Sequence, residues 1–161
     1  ILKAALEKAF EALSQMKERE GQRLFTDIKD KLRYIKEIVD EIDAKDEGLV
    51  YAYMDKLRER ILELSKGIPL DESRFMTEVA LMADKSSIDE ETVRLRSHIS
   101  EFEKTMDSRG TVGKKLDFII QEMNREVNTI GSKGTEIDII NNVVNLKTEI
   151  EKIREQIQNI E

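Results

Sequence analysis

Apolar residues fall into stripes with helical spacing from one end of the chain to the other. Leu2, Leu6, Ala9, Leu13 and Met16 recur at alternating intervals of four and three, as on a helix that lays one face on another. The stripe resumes at Leu24, Ile28, Leu32, Ile35, Val39 and Ile42. Between the two parts the seam position falls on Glu20, next to Gly21. Either the seam loosens and Glu20 reaches water, or the carboxylate is held in a site, because an ionised carboxylate on an apolar seam is costly unless paired. The helix is expected to continue through Gly21 or to bend only mildly. A turn near Lys45 to Gly48 is expected, followed by a second helix with Val50, Met54, Leu57, Ile61 and Leu64 on its seam. Together the two predict a long antiparallel hairpin over 1–66 with coiled-coil packing.

Beyond it, Gly67, Ile68 and Pro69 stop the hairpin, and Asp71 is placed to cap a short helix from about Glu72 to Ala83. Ser87 with Glu90 reads as a capping box. The next helix carries Thr92, Leu95, Ile99, Phe102 and Met106, and Ser108, Arg109 and Gly110 close it. A further helix carries Val112, Leu116, Ile119, Met123, Val127 and Ile130, and Gly131 and Gly134 bracket the loop after it. The last opens near Thr135 and keeps a heptad stripe through Ile139, Val143, Leu146, Ile150, Ile153, Ile157 and Ile160. No alternating strand pattern of useful length interrupts this. The expected fold is all-α, with a hairpin over 1–66, shorter helices, and a long heptad-patterned C-terminal helix closing a region over 67–161.

Composition agrees with long, thin helices. Hydrophobic residues make up 39% and charged residues 38%, so much of the helical surface is solvated. The balance of 27 basic against 34 acidic residues, net −7, is not that of a chain coated in cations for nucleic acid. Any RNA contact must use local basic patches or groups supplied from elsewhere. With no cysteine, disulfides and thiolate metal sites are excluded. No apolar stretch approaches a membrane span and no signal peptide is visible, so the expected location is cytoplasmic. The first residue, Ile1, already belongs to a helical pattern, which reads as a fragment of a longer chain.

The helix after Val112 is the unusual one. Asp117, Gln121, Asn124 and Asn128 form a polar stripe at intervals of four, three and four. Asparagine competes for backbone hydrogen bonds and is a poor choice for a merely solvated helix face. The stripe therefore joins helices through a buried polar network or faces a ligand. Glu122 and Glu126, one turn apart, can hold a divalent cation with Asp117 nearby, or can be an ordinary solvated pair neutralised by Arg125 and Lys114. His98, the single histidine, can move protons or be structural. Arg94, Arg96, Lys114, Lys115, Arg125 and Lys133 make the best basic patch in an acidic chain, able to meet RNA phosphates or to be common surface charge. The nearest aromatic side chains, Phe102 and Phe118, give base stacking little support.

Motifs then add a family. The run from Gly113 to Lys133, GKKLDFIIQEMNREVNTIGSK, resembles the signature of the YicC family. So do Leu146 with Lys147, the ending from Glu151 to Glu161, and upstream Arg19 to Gly21, Glu78 to Ala80 and Arg94 to His98. The resemblance covers essentially the whole chain. It implies a bacterial protein of a family described as stress-induced, an endoribonuclease that cuts single-stranded RNA, requires a divalent metal (manganese or magnesium), and works as a ring-like homo-oligomer, a hexamer. DNA and membrane partners are not expected. It also implies an α+β domain that this chain lacks. The resemblance assigns no catalytic roles, so these come from chemistry. Glu122 and Glu126, with Asp117, are expected at the metal, and His98, with both glutamates, in catalysis. Arg96, Lys114, Lys115, Gln121, Asn124, Arg125, Asn128 and Lys133 are expected at the RNA. The alternative is a helical assembly module or an RNA-binding adaptor, with the chemistry in the absent domain.

Overall fold

In the computed structural model, the residues described are 2–65, 70–108, 110, 112–134 and 136–158. They form five helices and no strand: α1 (Leu2–Ser65), α2 (Glu72–Ser86), α3 (Asp89–Met106), α4 (Gly113–Lys133) and α5 (Ile137–Gln158). The all-α expectation holds.

The hairpin does not form. α1 runs unbroken for 64 residues, about 95 Å, through Lys45 to Gly48. The pattern shifts there because the packing partner changes, not because the chain reverses. Ile28, Leu32, Ile35, Val39 and Ile42 are buried in the main core, whereas Phe75 and Val79 of α2 are buried where that helix lies on the far end of α1. A single glycine weakens a helix by only about 1 kcal/mol and does not break one. Positions that a Cβ would occupy at Gly21 and Gly48 are open space, and both glycines are helical. The predicted stop at Gly67, Ile68 and Pro69 lies outside the described residues.

Residues 28–42 of α1 combine with α3, α4 and α5 in a four-helix bundle, so the core crosses the boundary expected at 66–67. Inter-helix polar pairs fix the directions. Lys36 with Glu103 and Arg96 with Asp43 set α3 antiparallel to α1. Lys115 with Glu101 and Lys133 with Glu91 set α4 antiparallel to α3. Asn142 with Glu41, Lys45 with Asp138 and Gln156 with Asp27 set α5 antiparallel to α1. The topology is up-down-up-down, the natural outcome of short connections between amphipathic helices. Phe102, Ile99 and Leu95 of α3 meet Ile120, Met123 and Val127 of α4 and the Ile139-to-Ile157 stripe of α5 in this core. The heptad stripe of α5 is thus consumed inside the bundle.

Local signals fared unevenly. Asp71 caps α2, its carboxylate accepting from Arg74 N at 3.2 Å. The capping box does not close: Ile88 takes the N-cap position of α3, and the Ser87 hydroxyl bonds Asp89 instead. Gly131 lies within α4, against Val143 of α5 at a spacing that leaves little room for a side chain. Gly110, at φ 120°, makes the left-handed step between α3 and α4. Thr135 lies outside the described residues.

One face remains uncovered. Leu6, Phe10, Leu13 and Met16, a stripe near the start of α1, are exposed. Glu20 on that seam is exposed as well, so it reaches water.

Candidate functional site

α4 presents two chemically distinct sides, because successive polar residues on it fall on opposite edges of its buried face. Towards α3 stand Glu122, Glu126 and Lys133. Towards α5 stands Asp117, with Gln121 beside it in the same groove, and Asn124 and Asn128 continue the stripe along α4. Asp117 and Asn124 are half-buried while Gln121 and Asn128 are exposed, so the amide stripe forms the rim of the α4–α5 contact and is not sealed within it.

On the α3 side, His98 Nε2 lies 3.8 Å from Glu126 Oε1. Glu126 is only 9% exposed, held there by the packing of Met123, Val127 and Ile130 on the same helix. The separation is beyond a hydrogen bond, so the two groups face each other without bonding directly. Glu122, one turn earlier, accepts from Arg125 Nη1 at 2.6 Å. Deeper along the same interface Glu91, 5% exposed, takes both of its oxygens to Lys133 Nζ at 2.9 and 3.0 Å, and Lys133 also donates to the Ser87 carbonyl at 3.0 Å.

On the α5 side, Gln121 Nε2 donates to Asp117 Oδ2 at 2.8 Å, and Arg154 Nε stands 3.5 Å from Asp117 Oδ1. These residues border a groove of about 490 Å³, which also takes in Lys114 and Phe118.

The proposed metal ligands do not converge. Asp117 is engaged with Gln121 and Arg154, Glu122 with Arg125, and Glu126 faces His98. Among the described residues no group of three or more His, Cys, Asp or Glu side chains is placed to hold a metal ion.

Most of the expected RNA-binding cations are already partnered. Arg96 is clamped by Asp40 and Asp43 at 2.6 Å each, and the bond to Asp43 raises its pKa further. Lys115 bonds Glu101 at 2.5 Å and pulls that carboxyl below its ordinary range. Arg125 and Lys133 are bound as above. Lys114 alone of the group makes no ion pair among the described residues. Phe102 is fully buried and unavailable for stacking, whereas Phe118 is 59% exposed.

Two residues at these interfaces escaped the sequence reading. Glu91 precedes Leu95 by four positions and Ile99 by eight, a seam position that marks it for burial. Arg154 follows Ile153 at the edge of the α5 heptad stripe, where a long side chain reaches the neighbouring helix.

Residues 42–161 match the family described as "Endoribonuclease YicC-like, C-terminal". Two relatives bear the name "Probable endoribonuclease YicC". The one from Clostridioides difficile (strain 630) is 48% identical over 162 residues, covering 100% of this chain and 55% of that protein. The one from Haemophilus influenzae (strain ATCC 51907 / DSM 11121 / KW20 / Rd) is 36% identical over 146 residues, covering 91% of this chain and 50% of that protein. The chain spans about half the length of the curated relatives it matches.

Proposed function

The chain belongs to the YicC-like endoribonuclease family, and from that premise we propose that it is the helical half of an endoribonuclease that hydrolyses single-stranded RNA. The observation that carries the local assignment is the His98–Glu126 pair, a proton-transfer group beside a nearly buried carboxylate where α3 packs on α4. In this reading His98 takes a proton from the attacking oxygen and returns one to the departing oxygen. Glu126 steadies the imidazolium between the two transfers. Asp117 and Gln121 border a separate groove on the α5 side of α4, with Lys114 there available for a phosphate. The whole enzyme would use a divalent cation, manganese or magnesium. No described helix is long and apolar enough to cross a membrane, and the proposed location is the cytoplasm.

A second reading has its own observation. The exposed stripe Leu6, Phe10, Leu13 and Met16 is the face a homo-oligomer would cover, up to the hexamer the family resemblance implies, and it favours an assembly role for α1. The two readings separate on cleavage of a labelled single-stranded RNA by the complete polypeptide and by this chain, each with manganese or magnesium and with chelator. Metal-dependent cutting by the chain supports chemistry in these helices. Cutting by the complete polypeptide alone supports assembly. No cutting by either removes the ribonuclease proposal.

A further inference from the structure

We infer that the groove between the start of α4 and the end of α5 is a subsite for one nucleotide of a single-stranded RNA, with the base on Phe118 and its phosphate on Lys114 and Arg154. The inference rests on the ribonuclease reading and adds to it a place where the strand is gripped.

Four features of the groove point the same way. Its volume, about 490 Å³, suits a nucleotide-sized ligand. Phe118 is 59% exposed at its edge, so its ring is open to a flat partner entering the groove. Single-stranded RNA is recognised largely by stacking unpaired bases on such rings, with amides reading the base edges. Gln121 supplies the amide: its NH₂ donates to Asp117, which leaves its carbonyl oxygen for a base.

The charge is arranged for a phosphate. Lys114 makes no ion pair among the described residues, in contrast to its neighbour Lys115. The Nε of Arg154 is buried without a hydrogen-bond partner, and its two ion pairs, to Asp117 at 3.5 Å and Glu151 at 3.6 Å, are both too long to be hydrogen bonds. The guanidinium is therefore held in place but left with donors to spare. Among the groove's lining residues two cations stand against one anion, Asp117, with Glu151 a second anion near Arg154 outside the lining, in a chain whose overall balance is −7. α4 also opens here with no side-chain cap and no acidic residue in its first turn, so its positive end adds to the same field.

Position decides what the subsite does. Phe118 precedes Glu126 by eight residues on one helix, about 12 Å along the axis. A nucleotide in the groove is thus held away from the His98–Glu126 pair, and its loss should raise KM and leave kcat alone.

The test is binding of a fluorescently labelled single-stranded oligoribonucleotide to the full chain, read by anisotropy across a salt series, with circular dichroism to confirm folding. Phe118→Ala is expected to weaken binding roughly 5- to 100-fold, and Phe118→Tyr to keep it. Lys114→Gln is expected to lower the salt slope by about 0.7, the value for one phosphate on a single strand. Lys147→Gln, an exposed change elsewhere on α5, should do neither. If the chain binds RNA but Phe118→Ala and Lys114→Gln behave like Lys147→Gln, the subsite is refuted and the ribonuclease reading stands. If the chain binds no RNA, the subsite is refuted together with the RNA role of these helices.

Discussion

Replacing Lys133 by methionine should destabilise the protein while doing little to RNA contacts, the opposite of what a phosphate-binding lysine would give. Lys133 Nζ is bonded at once to both oxygens of Glu91 and to the Ser87 carbonyl, at 2.9 to 3.0 Å. Glu91 is 5% exposed, so losing its partner strands a charge away from water. Breaking a fully buried pair costs about 3–5 kcal/mol. The lysine side chain keeps 31% of its surface exposed, so water can reach the vacated side and relieve part of that. A loss of about 2–3 kcal/mol follows, equivalent to roughly 4–12 °C in Tm for a domain of this size. Urea unfolding followed by circular dichroism measures it. The double variant Glu91→Gln with Lys133→Met removes the stranded charge and should recover more than half of the loss, which a double-mutant cycle quantifies. A Lys133→Met protein within about 0.5 kcal/mol of the parent would refute the reasoning, as would a double variant no more stable than the single one.

Other consequences are as direct. Gly134→Ala would set a Cβ 2.7 Å from Ile139 Cγ2 and 3.1 Å from the Ile130 carbonyl, so it should cost about 1–3 kcal/mol in the same melt, although this glycine has an ordinary φ of −66°. Asp27 is held below its ordinary value of 3.8, first by the bond from Lys31 and then by that from Gln156. Its folded pKa is depressed, so its contribution is present above that ordinary value and fades as pH falls through the folded one. Asp27→Asn should therefore flatten the acid limb of the stability curve while changing neutral stability by under about 1 kcal/mol, because the side chain is half exposed. Phe10→Glu with Leu13→Glu should leave the helical circular dichroism intact and abolish any self-association seen by light scattering. Unchanged association would place the contact elsewhere.

The helices were legible because each buries an apolar stripe against neighbours, and the stripes of α3, α4 and α5 in the sequence are the ones that line the core. The hairpin was not, because a shift in stripe position looks the same whether the chain turns back or a straight helix changes partner. α1 does the second. The α5 heptad stripe is spent within the chain, since its isoleucines face the chain's own bundle. At the candidate site, helical spacing puts Glu122 and Glu126 one turn apart on α4, but spacing on one helix cannot say which neighbour each carboxylate meets. Arg125 takes one and His98 faces the other. The basic patch was overcounted for the same reason. Arg96, Lys115 and Lys133 are partnered by Asp43, Glu101 and Glu91, which lie 53, 14 and 42 positions away in the chain.

The central claim is that the His98–Glu126 pair takes part in cutting RNA, and single-turnover cleavage of a labelled single-stranded RNA by the complete polypeptide carrying Glu126→Gln tests it most directly. Glutamine keeps the shape of a side chain that is only 9% exposed, so folding should survive. The rate constant should fall by about 10²- to 10⁴-fold with RNA affinity unchanged, and His98→Gln should fall with it. A folded Glu126→Gln protein that cuts at the parent rate would contradict the claim.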